Sequence, residues 1–240
     1  MSESILKLLI IRHGDPDYAI DSLTEKGWRE AELLSQRLVK LKIDDFYCSP
    51  LGRAKDTAKP TLEKLNREAE ILPWLQEFSG TIQSPYTGKK RIPWDLAPSL
   101  WADEAEFYDR NRWMNPALVA SGTVKEVYDQ TTLGLGELLR NYGWSRNGML
   151  YRSDEDNDKT VALFCHCAMG LTIISYLTGT SPFILWHNFF LPTSSVSTIV
   201  TETDKNGNAH FRCVQIGDTS HLYAAGEEMS QAGLYPEFEK

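Results

Sequence analysis

The chain has 240 residues, 42% hydrophobic and 24% charged, a globular composition with enough length to bury one large core. Lys plus Arg number 25 against 33 Asp plus Glu, a formal charge of −8, which argues against a general attraction to nucleic acid or anionic membrane. Any anionic small substrate therefore needs a local cationic pocket.

The run Ile5 to Ile11 is nearly continuously apolar and β-branched, which predicts a strand buried on both faces of a parallel sheet. Arg12-His13-Gly14-Asp15-Pro16 follows as a polar turn. Thr24 then stands at an N-cap position before a helix over Glu25 to Leu41, with Trp28, Ala31, Leu34, Leu38 and Leu41 on one face. Asp44 to Cys48 reads as a short strand closed by Ser49-Pro50, and Arg53 to about Leu65 as a helix interrupted at Pro60. Ile71 to Leu75 is expected to be a third strand, held to an edge or shortened by Pro73.

Phe78 to Pro116 has no single period and is rich in proline and tryptophan, as an inserted cap would be. A helix is predicted from Val124 to Tyr142, its face formed by Val124, Val127, Tyr128, Thr131, Leu135, Leu138 and Leu139. Ser153 to Lys159 reads as an acidic loop, Thr160 to Cys165 as a buried strand ending at His166, and Ala168 to Leu177 as a helix. Ser195 to Thr203 and His210 to Ile216 alternate, and the turn between them contains Asn206-Gly207, a hairpin signal. The expected fold is α/β: a three-layer α/β/α sandwich with a mostly parallel central sheet, one domain over residues 1–240 with a cap at about 78–116.

Ligands in such folds sit beyond the carboxyl ends of the parallel strands. Here those ends carry Arg12-His13, Ser49 with Arg53, and His166, with Glu77 after the third strand. Two arginines, two histidines and a carboxylate supply what phosphate monoester cleavage needs: charge neutralisation, a nucleophile and a proton for the leaving oxygen. Arginine's planar fork suits phosphate oxygens, and a helix start at Arg53 adds its positive end.

The segments Leu8-Leu9-Ile10-Ile11-Arg12-His13-Gly14, Leu23-Thr24-Glu25-Lys26-Gly27, Tyr47-Cys48-Ser49-Pro50-Leu51-Gly52-Arg53-Ala54, Leu75-Gln76-Glu77-Phe78 and Phe164-Cys165-His166 resemble, in that order, the histidine phosphatase superfamily, the phosphoglycerate mutase-like enzymes. The resemblance implies that His13 is a nucleophile forming a phosphohistidine. It implies that Arg12, Arg53 and His166 clamp the phosphate, and that Glu77 is the proton donor and later the base. It also implies no metal and no cofactor, and a small phosphorylated metabolite as partner, with a neutral attacking nitrogen on His13 and a charged His166 helping to hold the dianion. Thr24 is a further candidate contact, as are Lys89, Lys90 and Arg91, the one cationic cluster of the cap region.

Two departures stand out. Asp15 to Ala19 lacks the family's phosphate-touching Asn, and Cys167 stands where Gly is usual. Strand alternation would put Cys165 and Cys167 opposite His166, as packing residues. The alternative reading puts Cys167 at the pocket rim, as a point of oxidation. The four cysteines, Cys48, Cys165, Cys167 and Cys213, are too few for a disulfide framework and show no zinc spacing. An acid at Glu3 and a short apolar run containing Lys7 resemble neither a signal peptide nor a membrane span, so a cytoplasmic, soluble protein is expected.

The short Asp15 to Ser22 loop and the absence of a cap Arg-Arg cluster favour a phosphatase. The alternatives are a cofactor-dependent phosphoglycerate mutase and a non-catalytic phospholigand binder. The cap aromatics Phe78, Tyr86, Trp94, Trp101, Phe107, Tyr108 and Trp113 line a pocket for a bulky alcohol or form the cap's own core. His187, His210 and His221 read as structural, and the oligomeric state is open, a dimer included.

Overall fold

The fold is that of a computed structural model, which describes residues 5–153 and 157–234. Met1 to Ser4 and the centre of the Ser153 to Lys159 loop lie outside the described residues. The first strand, β1 (Lys7–Arg12), pairs in parallel with a later strand over Thr160–Cys165 and antiparallel with one over Val196–Thr203. It is thus central, and only Lys7 at its start is exposed. A two-residue hairpin, β2 (Pro16–Asp17) and β3 (Ser22–Leu23), leads to α1 (Glu25–Leu38). Helix α1 stops at Leu38 and buries Gly27, Glu30, Ala31, Leu34 and Leu38; Trp28 and Leu41, expected on that face, are exposed.

β4 (Asp45–Cys48) follows, then α2 (Gly52–Leu65), which continues without interruption past Pro60. Proline removes one N–H from the ladder, while Ala54, Thr57, Ala58 and Thr61 are all buried and hold the helix to the sheet on both sides of that position. β5 (Glu70–Ile71) is a two-residue edge strand parallel to β4; the chain then turns into a 3-10 segment at Pro73–Leu75, shortening the expected strand where proline enters. A hairpin of β6 (Ile82–Gln83) and β7 (Lys90–Arg91), two further 3-10 turns and α3 (Ala117–Ala120) occupy the irregular region before α4 (Val124–Asn141).

β8 (Trp144–Asn147) and β9 (Leu150–Ser153) form a hairpin that the sequence reading did not anticipate. Its turn is Gly148-Met149, with Gly148 at φ +63°, a conformation that favours glycine. β10 (Thr160–Cys165), α5 (Cys167–Thr178), α6 (Pro182–Asn188), β11 (Val196–Thr203), β12 (Asn208–Asp218) and α7 (Ser220–Ala225) complete the described chain.

The eight-stranded sheet runs β5-β4-β10-β1-β11-β12-β9-β8. Its β5-β4-β10-β1 half is parallel, and the hairpin strands extend it antiparallel from β11 outward. The two faces of β1 separate the core as alternation requires: Leu9 and Ile11 pack with Leu34, Leu38, Ala54 and Ala58, while Leu8 and Ile10 pack with the residues of α4, α5 and α6. The fold is the three-layer α/β/α sandwich. Phe78, Trp101, Phe107 and Trp113 belong to the second core; Phe107 stacks on Phe183 at 3.9 Å and Trp113 meets Trp186 edge-on at 5.7 Å. Tyr86 and Tyr108 are exposed. Among the described residues no helix is long and apolar enough to cross a membrane.

Candidate active site

The carboxyl ends of β1, β4 and β10 adjoin one another because those strands are neighbours in the parallel half of the sheet. Arg12 is the last residue of β1 and His13 follows it, both nearly fully buried. The His13 Nδ1 lies 2.7 Å from the Gly14 carbonyl oxygen. A carbonyl only accepts, so Nδ1 carries the proton and Nε2 the lone pair. Burial and the neighbouring Arg12 push the His13 pKa down to about 3, which leaves the ring neutral.

His166 is the N-cap residue of α5, fully buried, its ring centroid 5.1 Å from that of His13. Its Nε2 shares a 2.7 Å hydrogen bond with Ser49 Oγ, at the end of β4. Burial, then the neighbouring His13, Arg53 and Arg12, hold its pKa well below the ordinary value. This direction runs against the charged His166 expected from sequence, because burial and the adjacent cations disfavour a further positive charge.

Arg53 is the second residue of α2. Its Nη1 donates to Asp21 Oδ1 at 2.6 Å, while Asp21 Oδ2 accepts from the Gly52 N–H at 2.7 Å. Burial raises the Asp21 pKa, but these hydrogen bonds outweigh it and keep the carboxyl below its ordinary range. A Cβ on Gly52 would lie 2.0 Å from the Asp21 carbonyl oxygen, so this approach requires glycine. The Gly14 N–H donates to Thr57 Oγ1 one turn further along α2, tying the histidine loop to the same helix.

The Arg12 guanidinium donates to the carbonyl oxygens of Leu191 at 2.6 Å and Ala232 at 3.0 Å, and faces the Phe190 ring. Arg12 Nε, Arg53 Nε and His166 Nδ1 are buried without a hydrogen-bond partner among the described residues. Glu77 directs Oε1 at two backbone donors, Phe78 N–H at 2.9 Å and Met169 N–H at 3.0 Å in the first turn of α5. Burial raises its pKa against the pull of those donors and of both arginines.

Arg12, Arg53 and Glu77 line one cavity of about 550 Å³, whose walls include Trp94, Trp186, Phe189 and Phe190. Cys167 lines it too, which corrects the strand reading: β10 ends at Cys165, and Cys167 begins α5. Cys165 is in the core, and burial pushes both thiols up, toward the unreactive protonated form.

Other candidates lie elsewhere. Thr24 caps α1, accepting from the Gly27 N–H and donating to Asp15 Oδ2. Lys89, Lys90 and Arg91 sit on and beside β7 and do not line the cavity; Arg91 instead binds the Asp95 carbonyl oxygen. Among the described residues no cluster of three or more His, Cys, Asp and Glu is placed to hold a metal ion.

Asp21, Thr57 and Glu30 were missed from sequence. Glu30 is fully buried in α1 and receives the Asp15 N–H at 2.9 Å and the Thr193 hydroxyl at 3.0 Å. Its signal was a charged residue on the buried side of an amphipathic helix. His221 shares a 3.2 Å hydrogen bond with Ser194 Oγ, and the Ser194 N–H donates to the His13 carbonyl.

With this geometry in view, the comparisons are direct: the sequence model described as histidine phosphatase superfamily (branch 1) matches residues 8–119. That segment, just under half of the chain, is thus similar to the histidine phosphatase superfamily. Its curated relatives include the Schizosaccharomyces pombe protein named "Probable phosphatase C1687.21", 39% identical over 67 residues, or 24% of this chain and 32% of that one. Another is the 2,3-bisphosphoglycerate-dependent phosphoglycerate mutase of Thermoplasma acidophilum, 36% identical over 70 residues, 25% of this chain and 35% of that one. The matches thus span about a third of these relatives' lengths. A solved mycobacterial glucosyl-3-phosphoglycerate phosphatase superposes with a TM-score of 0.60 at 20% identity, covering 90% of this chain and 100% of that one. The likeness of fold extends well beyond the segment matched by sequence.

Proposed function

We propose that this protein is a phosphomonoesterase working through a phosphohistidine on a small phosphorylated metabolite. The observation that carries the reading is the pairing of a buried, neutral His13, its lone pair fixed on Nε2, with the three partnerless nitrogens Arg12 Nε, Arg53 Nε and His166 Nδ1. Buried polar groups are ordinarily satisfied, and phosphate oxygens are the acceptors that two guanidinium groups and an imidazole N–H would share.

In the first step Nε2 of His13 attacks phosphorus, the P–N bond forms and the ester P–O bond breaks. Glu77 gives its proton to the departing alcohol oxygen. The Glu77 carboxylate then takes a proton from water, whose oxygen attacks phosphorus. The P–N bond breaks, inorganic phosphate forms, and His13 and protonated Glu77 are regenerated. The raised Glu77 pKa suits the acid half of that cycle.

The test is phosphate release from 4-nitrophenyl phosphate by wild type and His13→Ala, with and without chelator. Activity that disappears with His13 and survives chelation supports the reading. Phosphoryl transfer between phosphoglycerates without phosphate release points to a mutase instead, and silence in both assays to a binding role.

A further inference from the structure

The arginines occupy a limited part of the cavity, and what remains describes the alcohol. Among the described residues lining it, the charged side chains are Arg12, Arg53, Glu77 and Asp95. Both cations belong to the phosphate clamp proposed above. Of the two acids Glu77 enters the cycle protonated, and the cap's one cationic cluster, Lys89 to Arg91, is not among the lining residues. A second anionic group on the substrate would be desolvated with no counter-charge among the described lining residues beyond the clamp, a cost that excludes ligands effectively.

The remaining surface is broad and aromatic. Trp94 and Trp186 stand edge to face, 6.1 Å between centroids, and Phe189, Phe190, Ile92 and Leu171 continue the apolar lining. Trp186 is oriented by hydrogen bonds from Nε1 to the Ala168 carbonyl and Thr172 hydroxyl oxygens. At about 550 Å³ the cavity holds a phosphate and a ring-sized alcohol together.

We infer that the substrate is a monophosphate ester of a neutral, planar or largely apolar alcohol, with the phosphate as its single anionic group. The inference rests on the phosphatase reading and sharpens it. It sets this chain apart from phosphoglycerate-type substrates, which carry a carboxylate or a second phosphate.

The experiment compares kcat/KM for phenyl phosphate, 1-naphthyl phosphate and 4-carboxyphenyl phosphate. The para-carboxylate leaves the phenol a slightly better leaving group, so chemistry alone favours the carboxylated ester. The expected result is the reverse, with the carboxylated ester slower by about tenfold or more and the naphthyl ester at least as fast as phenyl. Ile92→Lys, at an exposed wall position, is expected to narrow the gap by supplying a counter-charge, and Trp94→Ala to lower kcat/KM for naphthyl more than for phenyl. Equal or faster turnover of the carboxylated ester by wild type overturns the inference and leaves the phosphatase reading standing. Failure to hydrolyse any of the three esters overturns both.

Discussion

The carboxylate of Asp21 binds two groups at once, the guanidinium of Arg53 at 2.6 Å and the first N–H of α2 at 2.7 Å. Asp21 itself has φ +49°, in the left-handed region that Asp tolerates better than most residues. One side chain therefore caps the helix and aims the arginine. Asp21→Ala is expected to lower kcat/KM about 10- to 100-fold, because an unanchored guanidinium loses its orientation toward phosphate. Asp21→Asn, which keeps an acceptor for Gly52, is expected to lose less. Steady-state kinetics beside thermal melts separate this from unfolding.

The pH dependence follows from two groups. The competent free enzyme has neutral His13, the state above its pKa of about 3, and protonated Glu77, the state below its raised pKa. The kcat/KM profile is therefore expected to be a bell with its acid limb near pH 3 and its alkaline limb set by Glu77. The substrate's own ionisation is removed by comparing variants at each pH. An alkaline limb unchanged in Glu77→Gln would assign it to another group.

Glu77→Gln also separates the two halves of the cycle. Without a proton donor, esters of poorly leaving alcohols should suffer most, by roughly 10²- to 10⁴-fold, while aryl esters lose less in the first step. Aryl esters should then stall at the second step, which a pre-steady-state burst of phenol reports. Equal losses for alkyl and aryl esters, with no burst, would contradict an acid role.

Glu30 joins the loop after β1 to the segment before β11. Glu30→Ala leaves the Asp15 N–H and the Thr193 hydroxyl without their acceptor, an expected cost of about 2–4 kcal/mol. Glu30→Gln keeps an acceptor and a hydrogen-bonding partner at the same place and should be far milder. Urea unfolding of the two variants measures the difference.

The legible part of this molecule is where local pattern and chemistry coincide. Leu8 to Ile11 alternate between two cores and read as a central strand; Arg12-His13 and His166 stand at the ends of strands that share the parallel half of the sheet, and Arg53 at the start of the helix after a third. Asp21 was illegible because its partner Arg53 is 32 residues away; Glu30 stood on the apolar side of α1, but its partner Thr193, 163 residues away, was not readable. An acid in a helix or turn ordinarily faces water, and only tertiary contacts reveal otherwise. The β8–β9 hairpin did carry a signal, Asn147-Gly148 between Trp144 and Tyr151, both buried. Pro60 shows the converse, a local rule outweighed by the packing of α2. Cys167 was misplaced because a strand period was carried two residues past the strand's end at Cys165.

The most direct measurement is to quench the protein during turnover of an aryl phosphate and locate the acid-labile phosphoryl group by mass spectrometry under alkaline conditions. The expected result is phosphate on His13 in wild type, its accumulation in Glu77→Gln and its absence in His13→Ala. Turnover with no phosphohistidine in any of the three proteins, or with the group on another residue, would contradict the account.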